Sequence, residues 1–419
     1  MNRRHLLAAG AGLAAMALPA TRAGAQRSAG PEPAPRRMLS AADFGAKGDG
    51  DADDSAALQA ALDATFQGDR GYFLVIPPGD YRVTRTLRIA FEGKPRANVT
   101  RLAGISAYGA RLVSNIADGG NVIDVISRAV VRYLLIEGLT IQGRGREGHG
   151  LYVDCNVEGS YLYNSSLRDI VVQGCGGDGC RMIGNVFESQ IFNSYFRDNR
   201  GNGALFGHGP DGGVLSSMHA FGCVFGNNGE NGVALTNGAA DVSFHGCYFL
   251  LNGKFGLTAP NGCTLLSNCG FENNQRDAPD FEHGDAGIRL QVFGTLIGCT
   301  AYSIYKQTHL VRAFITNELV MVGCVASGGG RAKRAKLAKL QGNKHGKAML
   351  IGCRGAVERV GGIDVIDPGR AGANRFGSAW DSPEVPRLGD YRLWVDSRGR
   401  LRLKKGAPTS DEDGTVVGG

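Results

Sequence analysis

The chain has 419 residues, a formal net charge of +7 and 65 glycines. This much glycine without a three-residue period excludes collagen and indicates many tight turns between short strands. The positive charge is local: residues 1–37 carry an excess of five charges and Arg331–Lys347 a further seven, so the remainder is acidic by five. Such a distribution argues against a nucleic-acid-binding protein, whose basic residues cover one binding face.

Residues 1–25 are predicted to be an export signal. Paired arginines at positions 3 and 4 precede a weakly apolar run, and Ala23-Gly24-Ala25 supplies the small residues of a cleavage site. Paired arginines are typical of the bacterial twin-arginine route, and an ordinary Sec signal is the alternative. No later segment has the ~20 apolar residues of a membrane span. We therefore expect a periplasmic or secreted protein that is not membrane-embedded, with residues 26–38 as a flexible leader.

A helix is predicted where the folded part begins. Asp53, Asp54 and Ser55 offer side chains that can cap a helix N-terminus. Apolar residues then recur at helical spacing at positions 57, 58, 61, 62 and 66. We expect this helix to cover the open first turn of a solenoid, and we expect two strands around a Pro-Pro-Gly-Asp turn in residues 71–89.

The middle of the chain contains a repeat of 22 to 31 residues. An apolar anchor is followed seven positions later by glycine in each unit; the anchors are Ile141, Val172, Phe196, Phe225 and Phe249. A unit of this size cannot bury its own apolar face and must stack on the next one. Short β segments between Gly and Asn, without amphipathic helices, predict an all-β parallel β-helix.

Two further residue types recur once per unit. Cysteine does so in six successive units, which favours a buried stack of small apolar side chains over disulfides, although an exported protein permits disulfides; the positions are Cys223, Cys247, Cys269, Cys299, Cys324 and Cys353. Asparagine recurs three residues after four anchors, at Asn199, Asn228, Asn252 and Asn274. Asparagine tolerates left-handed backbone, and stacked amides can hydrogen-bond between units, so these residues are predicted to be structural.

The sequence DFGAKGDG…DDSAALQAALDA…VIPPGDYRV resembles the entry module of the pectate-lyase-like, rhamnogalacturonase/epimerase-like β-helix proteins. The resemblance is specific over residues 41–90, and the repeats extend it less specifically to residue 356. It implies a right-handed parallel β-helix domain over residues 39–356 and action on a polysaccharide. It does not choose among lyase, epimerase, hydrolase and carbohydrate-binding spike.

The end of the chain departs from the repeat. Residues 327–347 are predicted to be a basic loop or short helix, either simply solvated or attracting an acidic glycan. An irregular linker is expected over residues 357–387. Residues 388–419 then predict a small hairpin about Ser397-Arg398-Gly399, which resembles tails of phage-like and bacterial fibre proteins and leaves a homo-oligomer open.

Candidate catalytic residues occur where two early units differ from later ones. The alignment of GHGLYVD (148–154) with GDGCRMI (177–183) places His149 over Asp178 and Tyr152 over Arg181. A His–Asp pair can move protons near neutral pH, Arg181 can neutralise a uronate carboxylate, and Tyr152 can supply a proton. The alternative is that His149 and Asp178 only shape turns, as asparagine does in later units.

Other elements bear on the chemistry without settling it. Gly148-His149-Gly150 resembles an element of polygalacturonase-like hydrolases, but their Asp-Asp pair is absent and Gly287-Ile288-Arg289-Leu290 lacks their Arg-Ile-Lys tripeptide. Hydrolysis then needs two carboxylates in another arrangement. Asp154 and Arg289 are candidate substrate-binding residues. The Asp-Pro-His element of alginate epimerases is also absent.

No cofactor is required by the sequence. Ca²⁺ remains open, because four acidic residues form an insertion that is either a cation site or a solvated loop; they are Asp277, Asp280, Glu282 and Asp285. The sequence therefore predicts an exported lyase or epimerase, or a hydrolase, acting on an acidic polysaccharide such as a uronan. The alternative is a non-catalytic glycan-binding or tailspike-like structural β-helix.

Overall fold

The computed structural model describes residues 38–66, 72–91, 98–208, 212–278, 285–303, 307–328, 336–367, 387–388, 391–396, 398, 400–406, 410 and 412–417. The predicted export signal and leader lie outside these residues, apart from Met38. In the described part of the chain, no helix is both long and apolar enough to cross a membrane.

The predicted helix forms at Ser55–Phe66, after a short 3-10 turn at Ala41–Phe44. The Asp53 carboxylate accepts the Ser55 N–H at 3.1 Å and so caps the helix N-terminus. The helix buries Leu58, Ala61 and Leu62 and contacts the strand Leu87–Phe91, where the rings of Phe66 and Phe91 lie 5.6 Å apart. The helix therefore covers the first strand of its ladder, as predicted.

The remaining strands before residue 367 form three parallel ladders, and the chain visits the ladders in turn. The first ladder consists of Leu87–Phe91, Ile123–Ser127, Leu151–Cys155, Cys180–Gly184, Ala204–Gly207, Val233–Leu235, Leu257–Ala259, Ala286–Ile297, His309–Val322, Lys336–Gly342 and Val357–Gly361. Two long strands, Ala286–Ile297 and His309–Val322, bend into the second ladder. That second ladder consists otherwise of Met38–Ser40, Phe73–Val75, Asn98–Ser106, Val130–Glu137, Tyr161–Tyr163, Ser166–Arg168, Val186–Phe187, Gln190–Phe192, Leu215–Phe221, Ala239–His245, Cys263–Ser267, Lys347–Ile351 and Asp364–Ile366.

The third ladder consists of Asp49–Asp53, Gly79–Val83, Ala110–Ser114, Thr140–Gln142, Val171–Gln173, Tyr195–Arg197, Val224–Gly226, Tyr248–Leu250, Gly270–Glu272, Thr300–Ser303 and Val325–Gly328. Three ladders visited in order by one chain make a right-handed parallel β-helix, which confirms the predicted fold class.

The repeat anchors stack on one another in the third ladder. Ile141 pairs with Val172, Val172 with Phe196, and Phe196 with Phe225. The phenylalanine rings stack at centroid distances of 5.3 Å between Phe196 and Phe225 and 5.3 Å between Phe225 and Phe249. One buried ring per turn therefore forms the core that no single repeat could bury.

The cysteines form the predicted internal column. Those whose side chains the structure describes are free thiols, and all are buried except the half-buried Cys353. Each thiol in the column donates to the carbonyl two residues earlier, for example Cys247 Sγ to His245 O at 3.6 Å. The column is therefore packing, not a disulfide framework.

The asparagine column is also confirmed, but one physical reason for it was wrong. Asn228 Nδ2 donates to Asn252 Oδ1 at 3.0 Å, and Asn252 Nδ2 donates to Asn274 Oδ1 at 2.8 Å. The left-handed residue is the preceding one in each turn, such as Asn227 at φ 53° or Leu251 at φ 55°. The column asparagines are thus selected for their amides alone.

The C-terminal boundaries differ from the prediction. Lys336–Gly342 is not a loop or helix but a first-ladder strand, and Val357–Gly361 pairs with it in parallel. The strand Asp364–Ile366 continues the second ladder, so the β-helix extends ten residues past the expected end at 356. Backbone pairing with the neighbouring strands holds these segments in β conformation, although their composition is rich in turn-forming and charged residues.

The predicted C-terminal hairpin is present and is larger than expected. Tyr391–Val395 and Leu401–Lys405 pair antiparallel about the predicted turn. Two short strands, Arg387–Leu388 and Thr415–Val416, extend them to a four-stranded antiparallel sheet.

Candidate active site on the first ladder

Outward-facing polar side chains line up on consecutive strands of the first ladder. The register pairs Arg88 with Asp124, Asp124 with Tyr152, and Tyr152 with Arg181. We call these four residues the outer column. Their neighbours along each strand point inward, because side chains alternate across a strand; Leu151, Val153, Cys180 and Met182 are all buried. The predicted placement of Tyr152 over Arg181 is confirmed.

His149 and Asp178 are adjacent as predicted, but their contacts are those of a turn. The backbone N–H of His149 donates to Asn121 Oδ1 at 2.8 Å, and the backbone N–H of Asp178 donates to His149 Nδ1 at 2.9 Å. Asp178 Oδ1 in turn accepts both the N–H and the amide of Asn202 at 2.8 Å. Asn231 continues the same pattern on the next rung. These five residues form a turn column in which each side chain caps the next turn.

This contact decides what His149 can do. Burial lowers the pKa of His149, while the Asp178 carboxylate opposes the shift, so the imidazole is neutral at neutral pH. A neutral ring whose Nδ1 accepts a backbone N–H carries its proton on Nε2. His149 is therefore a hydrogen-bond donor at Nε2 and not a free base. The catalytic roles predicted for His149 and Asp178 remain predictions, and the geometry favours the turn-shaping alternative.

Tyr152 lies at the centre of the outer column. Its ring stacks beside His149 at a centroid distance of 5.8 Å. Burial, and next the nearby Asp154 carboxylate, raise the pKa of Tyr152. The phenol therefore stays protonated at neutral pH and is able to donate a proton to a leaving oxygen.

Arg181 and Asp154 flank Tyr152. The Arg181 guanidinium touches Asp178 Oδ2 only at 3.5 Å and keeps a side chain that is 37% exposed. Asp154 lies 3.8 Å from Arg128 Nη2 and accepts the Asn156 N–H at 2.9 Å. A cation that meets solvent therefore lies across from Tyr152 on the next strand, and a half-buried carboxylate lies two residues along its own strand.

Asp124 belongs to this cluster and was missed in the sequence. It is only 9% exposed, accepts the Asn121 amide at 2.8 Å, and lies 3.9 Å from Arg88 Nε. The alternating stretch IDVIS (123–127), 28 residues before LYVDC (151–155), is the signal that could have found it.

The two carboxylates of the cluster sit diagonally on neighbouring strands. Asp124 pairs with Tyr152, and Asp154 lies two residues further along, so the two Cα atoms are separated by about 8 Å. In inverting glycosidases the two carboxyl groups lie about 6.5 to 9.5 Å apart with a water molecule between them, and the Cα spacing here is compatible with that separation. This is a carboxylate pair in an arrangement other than the absent Asp-Asp motif.

Arg289 does not join the cluster. It occupies the same outward position of the first ladder, but five strand steps away from Tyr152, which is about 24 Å along the β-helix axis. The substrate-binding role predicted for Arg289 stays a prediction, at a place separate from the cluster, and its surroundings are considered below.

No group of three or more potential metal ligands occurs in the residues that the structure describes. Asp280 and Glu282 of the acidic insertion lie outside those residues. Asp285 pairs with Arg312, and Asp277 with Arg276 Nε at 3.1 Å. The two described acids of the insertion are therefore engaged by arginines, and a Ca²⁺ site here stays a prediction.

Two family models match parts of the chain. Residues 38–122 match "Rhamnogalacturonase A/epimerase, pectate lyase-like", and residues 324–419 match "Capsule depolymerase". Comparison with curated proteins gives no match.

Solved structures with similar folds include a phage protein, a tailspike and an enzyme domain. ORF18 of Geobacillus virus E2 is 18% identical with a TM-score of 0.58, over 87% of this chain and 66% of that one. Tailspike protein 2 of Escherichia coli O157:H7 bacteriophage CAB120 is 12% identical with a TM-score of 0.57, over 88% of this chain and 52% of that one. The Agl-KA catalytic domain is 14% identical with a TM-score of 0.55, over 80% and 69%. The chain thus spans less than two thirds of the two phage proteins.

The fold and the first-ladder cluster define a parallel β-helix protein with ionisable side chains gathered on one outer face. The match of residues 38–122 and the shared parallel β-helix fold bear out the predicted resemblance to pectate-lyase-like β-helix proteins.

Proposed function

We propose that this protein cleaves glycosidic bonds of an acidic polysaccharide on the first-ladder face of its β-helix. One observation carries the proposal: Asp124, Tyr152, Asp154 and Arg181 gather on the outward side of three consecutive strands. The match of residues 324–419 to a capsule depolymerase model and the similarity to a tailspike support it.

Hydrolysis is the first candidate reaction. Asp124 and Asp154 lie diagonally on neighbouring strands, and with a water molecule between their carboxyl groups one carboxyl would protonate the leaving oxygen while the other activates the water. Such a reaction inverts the anomeric centre. Arg181 stands beside the pair and is able to hold an anionic substituent of the sugar by paired hydrogen bonds.

β-Elimination is the second candidate, supported by Tyr152 and Arg181. An arginine that neutralises a uronate carboxylate acidifies the neighbouring C5 proton, and a protonated tyrosine can protonate the departing oxygen. The base is the weak point of this route, because His149 Nδ1 already accepts a backbone hydrogen bond. C5 epimerisation shares the proton abstraction and meets the same difficulty.

Export, and with it a periplasmic or extracellular site of action, is part of the proposal. The paired arginines and the small-residue cleavage site support it. The expected outcome is a periplasmic or secreted protein that begins after Ala25, and an intact N-terminus on cytoplasmic protein would contradict it. A homo-oligomer also stays a prediction, which light scattering of the purified chain tests.

An activity screen tests the function and separates the routes. The full chain is incubated with polygalacturonate, rhamnogalacturonan, alginate and bacterial capsular polysaccharides, and both reducing ends and the ultraviolet absorbance of unsaturated products are followed. Hydrolysis gives reducing ends alone, elimination gives both signals, and epimerisation gives neither but changes the NMR spectrum of the polymer.

Variants identify the site once a substrate is found. Asp124→Asn and Asp154→Asn are each expected to lower kcat by about a hundredfold or more, because each removes a proton-transfer group. Tyr152→Phe lowers it comparably only if elimination operates. Glu318→Gln serves as the matched control, since Glu318 is an exposed carboxylate on the second ladder. Glycan binding without any turnover, unchanged in Asp124→Asn, Asp154→Asn and Arg181→Ala, would instead establish a binding protein.

A further inference from the structure

A groove lies on the first ladder far from the carboxylate pair. Its cavity has a volume of about 170 Å³ and is lined by three strands, Ala286–Ile297, His309–Val322 and Lys336–Gly342. The register places Arg289, Arg312 and Lys339 side by side in one column. The next outward column holds Gln291, Phe314 and Gln341.

The positive charges of this groove are only partly neutralised by neighbouring carboxylates. Like charges directly opposite on neighbouring strands repel, so this column is costly without an anion. Arg312 pairs with Asp285, and Lys339 Nζ lies 3.1 Å from Glu358 Oε1. Arg289 has no carboxylate partner among the described residues, and its guanidinium lies 5.8 Å from the ring centroid of Phe255. The groove therefore keeps an unpaired positive charge.

The rest of the lining suits a sugar ring. Phe314 is 42% exposed and presents its ring beside the cations, and the two glutamine amides flank it on the strands above and below. Amides donate to and accept from hydroxyl groups, while an aromatic ring packs against the apolar face of a pyranose.

The backbone beside the groove is strained. Val292 follows Gln291 and has φ 72°, which is an outlier for a β-branched residue, and the pairing register shifts between Val292 and Gly294. Such bulges occur next to binding sites, where they redirect side chains, and strain of this kind persists where the surrounding fold enforces it.

We infer that this groove is a second glycan subsite, which binds an anionic sugar unit of the same acidic polysaccharide through Arg289, Arg312 and Lys339. The inference rests on the proposed function for the identity of the polymer. Tyr152 and Arg312 occupy equivalent outward positions six strand steps apart, or about 29 Å along the axis. A linear glycan lying along the axis therefore reaches both, with the small or apolar Leu205, Ala234 and Thr258 between them.

The test measures binding of fluorescein-labelled oligogalacturonate, with a dextran oligosaccharide as the neutral probe. It uses the full chain carrying Asp154→Asn, so that cleavage does not obscure binding. The double variant Arg289→Gln/Arg312→Gln is expected to weaken oligogalacturonate binding about tenfold or more, because each arginine supplies charge-assisted hydrogen bonds. Binding by the parent falls with salt more steeply than binding by this variant.

Two further variants serve as controls. Lys347→Gln/Arg354→Gln removes the same charge from exposed positions outside the groove and is expected to leave affinity within about twofold, since distant surface charges are screened. Arg289→Lys/Arg312→Lys restores the charge and recovers part of the affinity, which excludes misfolding as the cause of the loss. Equal loss in the groove and control variants, or no loss in either, would overturn the inference.

The outcomes also separate this inference from the proposed function. If the groove variants bind more weakly but the protein cleaves no polysaccharide, the second subsite is supported and the proposed cleavage activity is refuted. If the protein cleaves a polysaccharide but the groove variants bind it as tightly as the parent, the cleavage activity is supported and the second subsite is refuted. With both in place, fragments too short to span about 29 Å lose the affinity contributed by the groove.

Discussion

Replacing Asn252 with alanine tests whether the asparagine column holds the β-helix together. The side chain is fully buried and takes part in four hydrogen bonds. Its Nδ2 donates to Phe225 O at 3.0 Å and to Asn274 Oδ1 at 2.8 Å, and its Oδ1 accepts the N–H and the amide of Asn228 at 3.2 and 3.0 Å. Alanine removes all four hydrogen bonds and leaves their former partners without a hydrogen-bonding side chain at this position.

The expected cost follows from these contacts. A buried group that loses its partner costs about 1 to 3 kcal/mol, and with partial relaxation the four bonds together give a loss of about 4 kcal/mol in the free energy of unfolding. For a chain of 419 residues that loss corresponds to a fall in Tm of roughly 4 to 5 °C. The matched control is Asn237→Ala, because Asn237 is exposed in a turn.

Thermal unfolding followed by circular dichroism measures both variants. Hydrogen exchange locates the effect, because the backbone N–H of Asn228 loses its acceptor and should exchange faster in Asn252→Ala. Since turns of a solenoid contact only their neighbours, protection far from this rung should change little. An Asn252→Ala Tm equal to that of Asn237→Ala would refute the reasoning.

Three further predictions concern the turn column, an ion pair and the thiols. If His149 caps the Asp178 turn, His149→Asn keeps stability and activity while His149→Leu loses about 1 to 2 kcal/mol; loss of activity in the folded His149→Asn variant would restore a catalytic role. Hydrogen bonds from Lys336 and then Lys339 lower the pKa of Glu358 from 4.5 to about 2, so this pair stabilises the fold above pH 4.5 and the effect disappears as the pH falls towards 2. Glu358→Gln should therefore cost up to about 1 kcal/mol at neutral pH, allowing for solvent screening, and nothing near pH 2 in urea titrations; a cost independent of pH would contradict the assignment. The fully buried column cysteines should react with a thiol reagent only on unfolding, and rapid labelling of the native protein at Cys223, Cys247, Cys269, Cys299 or Cys324 would show that the core column is open.

The fold could be predicted in some detail from the sequence. The spacing of the anchors, the once-per-rung cysteines and asparagines, and the entry helix all follow from short-range patterns that each rung repeats. A pattern repeated many times specifies its own stacking, because every unit must bury the same apolar face against the next. The alignment of Tyr152 with Arg181 was correct for the same reason.

The wrong or missing predictions concern segments where the sequence repeat is irregular. Lys336–Gly342 has the composition of a solvated segment, yet the strands on either side provide its hydrogen-bond partners and make it a strand. Asp124 was missed because its strand lies before the first clear repeat unit. The contact of His149 Nδ1 with a backbone N–H is invisible in the sequence, which shows only that histidine replaces asparagine.

The sequence by itself therefore determined the architecture, the inward and outward side of each strand, and the residue types available for chemistry. Only the tertiary structure decided which of them meet. Stacking of the turns places Asp124 near Asp154, although 30 residues separate them in the chain. It also places His149 and Asp178 in turn hydrogen bonds, and it places Arg289 in a separate basic groove. The physical reason is that periodicity fixes the direction of a side chain on its own strand, whereas its neighbours depend on the register and length of every intervening rung.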